Sequence, residues 1–196
     1  MLYVHIPRTG GSWFTYSWRM NYDKSGPVMW CENKVLMNKK HNKVSVGRHG
    51  KLSGIKTKLK QIIDISDYKI ITLVRHPIDR IFSSWKWFSI VKDTAKKHGW
   101  TTIDDMLDEY QSGERRVNYL PQTYWLCEQG AKFDHIFRFE DLLKGPKQIQ
   151  KIFPEYNPKG KLRRTADVTN ITNKNIKRIK EIYKEDIRYL RKYYDY

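Results

Sequence analysis

Residues 68–74, YKIITLV, form a nearly continuous apolar run in a chain of which 30% of the residues are charged. A strand with one wet face alternates apolar and polar residues, whereas an unbroken apolar strand is covered on both faces, as in a parallel sheet with helices above and below. Pro77 follows at a favourable first helical position, and residues 78–91 read on as an aromatic-rich helix. This one segment therefore points to an α/β architecture.

The remainder of the chain agrees with that architecture. Leu2 to Ile6 reads as a strand, closed by Pro7 and Gly10-Gly11, and residues 13–20 read as a helix without a breaker. Short strands are expected near Val28 to Trp30 and Val44 to Val46. Ser53 to Ile63 puts Ile55, Leu59, Ile62 and Ile63 on one helical face. Thr102 and Asp105 form a capping-box pattern for a helix through Tyr110, and Asn118 to Gln129 reads as another helix. His135 to Phe139 is a short strand, a helical segment runs from Leu142 to Pro154, and Thr172 to Tyr193 reads as one long amphipathic helix. Strands separated by helices predict an α/β fold with a mostly parallel central sheet flanked by helices. A length of 196 residues fits a single domain over 1–196, since halving it would leave two thin cores.

The formal charge of +17 makes an anionic ligand or partner the expectation. Cys31 and Cys127 lie far apart with no C-x-x-C spacing, so both read as free thiols, and neither a zinc site nor a disulfide framework is indicated. The opening MLYVHIP is too short to be a signal peptide, and no apolar run reaches bilayer-spanning length. The chain as given thus reads as cytoplasmic, and an upstream anchor removed from it stays open.

Two segments carry the chemistry. In His5-Ile6-Pro7-Arg8-Thr9-Gly10-Gly11-Ser12-Trp13, a strand-to-helix turn aims backbone N–H groups at one point, while Arg8 adds a planar cation and Thr9 and Ser12 add hydroxyls. That combination suits a phosphate. Ser12 stands where a Walker loop would need Lys, and the spacing is not G-x-G-x-x-G, so ordinary ATPases and Rossmann domains are disfavoured. In the second segment, residues 73–85, Arg75 ends the best strand and Ser83 lies two helical turns onward, so both could reach one anion. Taken alone, the second segment is equally compatible with Arg80 and Ser83 being merely solvated helix residues.

Together the segments resemble the sulfotransferases that use 3′-phosphoadenosine 5′-phosphosulfate (PAPS), especially the carbohydrate sulfotransferases. Their 5′-phosphosulfate loop reads like I-P-K-T-G-G-T-S, and their R-x-P-x-x-R-x-x-S pattern binds the 3′-phosphate. Arg75-His76-Pro77-Ile78-Asp79-Arg80-Ile81-Phe82-Ser83 matches the latter. The likeness runs on through Gln122, through Phe137 to Leu142, and into Tyr183 and Asp186, nearly the whole chain.

The resemblance implies a P-loop-like sulfotransferase fold. It also implies a sulfotransferase that moves the sulfuryl group of PAPS to an acceptor hydroxyl by in-line displacement, with no metal needed. Arg8, Thr9, Gly10, Gly11, Ser12, Trp13, Arg75 and Ser83 would bind the donor, and the basic loop Arg163, Arg164 and Thr165 would close over it. His49, between the two motifs, would be the general base. Arg8 departs from the usual Lys, and because Arg keeps its proton its role should be electrostatic. The acceptor expected from the family and the charge is a carbohydrate, an anionic glycan or an acidic peptide, with no specific nucleic acid. A non-catalytic polyanion-binding module explains the charge and aromatics equally well, but not the pairing of the two motifs. A nucleotide kinase is weakened by the missing Walker lysine.

Overall fold

The computed structural model describes residues 2–14, 29–30, 36–37, 43–44, 50–60, 66, 68–91, 94–154, 156 and 171–194. In chain order the elements are β1 (Leu2–Val4), β2 (Met29–Trp30), β3 (Leu36–Met37), β4 (Lys43–Val44), α1 (Leu52–Leu59), β5 (Ile70–Val74), α2 (Pro77–Lys86), a π-helical segment (Trp87–Val91), α3 (Thr94–Lys97), α4 (Ile103–Gln111), a 3-10 turn (Val117–Tyr119), α5 (Thr123–Leu126), β6 (His135–Arg138), α6 (Phe139–Leu143), α7 (Lys147–Gln150), α8 (Asn173–Ile182) and α9 (Lys184–Leu190). They fall into two compact units, residues 1–74 with 124–162 and residues 75–123 with 163–196. The architecture is α/β.

The first unit is built on a sheet of order β2-β1-β5-β6, in which every pairing is parallel. β1 and β5 are buried along their whole length, as the unbroken apolar runs require. Register places Tyr3 beside Ile71 and Leu73 beside Phe137. These four side chains share one face and pack with Phe14, Leu142, Ile149 and Tyr156. Thr72, the polar residue of β5, is fully buried and donates its hydroxyl to the Val4 carbonyl at 2.8 Å. α1 buries Leu52, Ile55 and Leu59, the spacing of a single helical face. At the end of β6, Arg138 holds Asp141 through Nε and Nη2 at 2.7 and 2.5 Å. That bond keeps the Asp141 carboxyl below the usual carboxylate range.

The second unit is helical, with α2, α4 and α8 around a core that includes Phe82, Phe88, Trp100, Met106, Tyr119 and Ile179. The capping box of α4 forms as expected, with Asp105 accepting the Thr102 N–H at 2.7 Å. Three helices expected from the sequence are interrupted. Between 118 and 129 only a 3-10 turn and the short α5 form, because Leu120, which precedes Pro121, is pushed to φ −58°, ψ 145°. From 142 to 154, Gly145 at φ 127° and Pro146 separate α6 from α7. The final helix breaks at Tyr183, whose backbone sits at φ −103°, ψ 27° and whose hydroxyl donates to the Tyr119 carbonyl at 2.6 Å. The helix expected over 78–91 turns π-helical from Trp87, whose N–H is shared by the Ser83 and Ser84 carbonyls.

Cys127 is exposed, and Cys31 lies outside the described residues. Among the described residues, no helix is long and apolar enough to cross a membrane.

Candidate functional site

The loop after β1 turns on two left-handed residues, Arg8 at φ 65° and Gly10 at φ 86°. Glycine takes that conformation freely, but for arginine it costs about 1–2 kcal/mol. Such strain persists where surrounding structure imposes it, and it gathers at ligand-binding turns. Thr9 supplies part of that imposition, being fully buried with its hydroxyl donated to the Ile6 carbonyl at 2.8 Å. Its proton therefore braces the loop, and what Thr9 offers an anion is its backbone. The chain turns helical over residues 11–14, with the Phe14 N–H donating to the Gly10 carbonyl at 3.0 Å. Ser12 is exposed, Arg8 is partly so, and Trp13 stands edge-on to Tyr156.

Packing requires glycine at both positions, and at Gly10 the left-handed backbone requires it as well. A Cβ on Gly10 would come within 2.6 Å of the Phe139 ring, and one on Gly11 would collide with the His5 ring and the Tyr3 hydroxyl. His5 and Tyr3 are themselves buried, so neither can swing aside cheaply. Gly11→Ala is expected to destabilise the protein by about 1–3 kcal/mol, the usual cost of overpacking. Gly54→Ala, on the exposed face of α1 where a Cβ meets nothing within 4 Å, is expected to be neutral or stabilising. Thermal unfolding of the two variants checks the contrast.

In the second unit, Arg75, the residue after β5, is 2% exposed, and Ser83 and Arg80 on α2 are fully buried. The alternative that Arg80 and Ser83 are solvated helix residues is thus excluded. Arg80 reaches the Asn118 carbonyl at 3.5 Å, and Ser84 donates to the same carbonyl at 2.7 Å. Burial lowers the Arg80 guanidinium and raises the Asp186 carboxyl, each opposed by the charge of the other. His49, Arg163, Arg164 and Thr165 lie outside the described residues.

Gln122 and Asp186 are given no role by the sequence, yet both are fully buried beside Arg75 or its supports. The signal available was chemical: a Gln in Leu120-Pro121-Gln122 and an Asp in a helix with Ile187 and Leu190 are polar residues at core-facing positions.

The whole chain, residues 1–196, matches the model of the sulfotransferase family, and the chain belongs to that family. A solved structure, the sulfotransferase from Alicyclobacillus acidocaldarius, is similar at 12% identity and a TM-score of 0.39, over 64% of this chain and 54% of that one. This chain thus spans about half the length of that protein. No curated protein sequence matches it.

Proposed function

We propose that the protein transfers the sulfuryl group of PAPS to a hydroxyl of a carbohydrate acceptor by in-line displacement. The observation that carries this reading is the strained loop after β1, in a chain that belongs to the sulfotransferase family. A left-handed Arg8, followed by the buried Thr9 brace and a glycine pair that packing requires, makes a turn whose N–H groups and cation suit the 5′ side of the donor. The buried Arg75 and Ser83 suit the 3′-phosphate, since a guanidinium removed from water gains more from a phosphate than an exposed one does.

In the reaction, His49 takes the acceptor proton as the acceptor oxygen bonds to sulfur. The bond from sulfur to the 5′-phosphate oxygen breaks, and Arg8 and the loop amides meet the charge left on the departing 3′-phosphoadenosine 5′-phosphate. Positioning and charge stabilisation do most of this work, as in phosphoryl transfer. Arg163, Arg164 and Thr165 cover the donor. The donor needs only a few cations, so most of the +17 charge is left to attract an anionic glycan or acidic peptide.

Incubation with 35S-labelled PAPS and a panel of neutral glycans, anionic glycans, tyrosine peptides and small alcohols tests the reading. Label is expected on a glycan, with the anionic members favoured at low salt. Binding of polyanions without transfer to any member would support the non-catalytic module instead.

A further inference from the structure

One side chain holds the main chain of Arg75 on both sides. Gln122 Oε1 accepts the Arg75 N–H at 3.0 Å, and Gln122 Nε2 donates to the Arg75 carbonyl at 2.8 Å. The amide thereby does for this residue what the opposite residue of an antiparallel pair would do, closing both of its backbone bonds. Gln122 is fixed in turn by the last helix, since its own N–H donates to Asp186 Oδ2 at 2.7 Å. The other carboxylate oxygen takes the Thr123 N–H and hydroxyl at 2.8 and 3.0 Å.

Gln122 and Asp186 are both fully buried. Buried polar chains of this kind are costly unless every member is satisfied, and apolar side chains of equal volume are often as stable. What the polar chain adds is direction. Arg75 follows the last ladder residue, Val74, and Gln122 bonds both of its backbone groups, so Gln122 orients that backbone and with it the origin of the guanidinium.

We propose that Gln122, held by Asp186, is a positioning residue for recognition of the donor's 3′-phosphate through Arg75. This rests on the reading of Arg75 as the 3′-phosphate ligand. Titration calorimetry with adenosine 3′,5′-bisphosphate and with adenosine 5′-phosphate, which lacks the 3′ group, gives a ratio of affinities for each variant. Gln122→Met keeps the volume and removes both bonds to Arg75, and it is expected to lower that ratio about tenfold. In an Arg75→Ala background the same substitution is expected to lower it no further, because the two residues act as one unit. A merely structural role would lower both affinities together and leave the ratio in place.

Should Gln122→Met not fold, Thr123→Val removes one hydroxyl bond to Asp186 at constant volume and carries the same test, with a fall of about two- to threefold. An unchanged ratio in a folded variant, with the ratio lost in Arg75→Ala, overturns the role of Gln122 alone. An unchanged ratio in Arg75→Ala overturns the 3′-phosphate reading and the positioning role with it.

Discussion

His49→Ala is expected to lower turnover about 10²–10⁴-fold while leaving the affinity for 3′-phosphoadenosine 5′-phosphate nearly unchanged, the pattern of a lost general base. An imidazole with an ordinary pKa near ~6.5 takes a hydroxyl proton at neutral pH without first being tuned. The groups proposed to hold the donor, the Arg8 loop and Arg75, do not include His49. A change in turnover without a change in donor binding therefore separates base loss from collapse of the site. Single-turnover transfer from labelled PAPS, paired with calorimetry on the same preparation, reads the two quantities independently. Turnover within a few-fold of wild type would remove His49 from the mechanism and direct the next test to Asp23 and Glu32, the two carboxylate residues between Gly11 and His49 in the sequence.

Local signals in the sequence predicted local structure well. YKIITLV read as a doubly covered parallel strand because nothing but burial on both faces accounts for an apolar run without alternation, and β5 is buried at every position. Thr102 and Asp105 read as a capping box because both partners lie within four residues. The breaks were harder to see. The last helix is interrupted at Tyr183, whose hydroxyl is bonded to the Tyr119 carbonyl, 64 residues away, and no helical periodicity records such a partner. At Leu120-Pro121 and at Gly145-Pro146 the sign was local, in the proline and glycine themselves.

The site divides in the same way. Gly10 and Gly11 were legible as a strand-to-helix turn, but neither the left-handed backbone of Arg8 nor the buried His5 and Tyr3 that require glycine at position 11 could be read from it. Arg80 was the hardest to read. A helical arginine six residues after a strand is solvated in most proteins, and the charge that opposes the cost of its full burial, Asp186, comes from the far end of the chain. Gln122 shows the same limit, since its bonds to Arg75 cross 47 residues and leave no periodic trace.

Arg75→Ala is expected to weaken binding of 3′-phosphoadenosine 5′-phosphate by about 2–5 kcal/mol, roughly 30- to 5,000-fold. The magnitude follows from burial. At 2% exposure the Arg75 side chain is out of reach of bulk water, so a phosphate bound there gives up its hydration and depends on the guanidinium to replace it. Affinity for adenosine 5′-phosphosulfate should hardly change, because that ligand lacks the 3′-phosphate for which Arg75 is proposed. Arg75→Lys should recover only part of the loss, since an ammonium supplies the charge but not the planar pair of donors that matches a phosphate edge. Calorimetry with both nucleotides on wild type and both variants decides the matter. Equal affinity of the wild-type protein for the two nucleotides would remove Arg75 and Ser83 from donor recognition, because a 3′-phosphate that contributes no affinity has no buried partner.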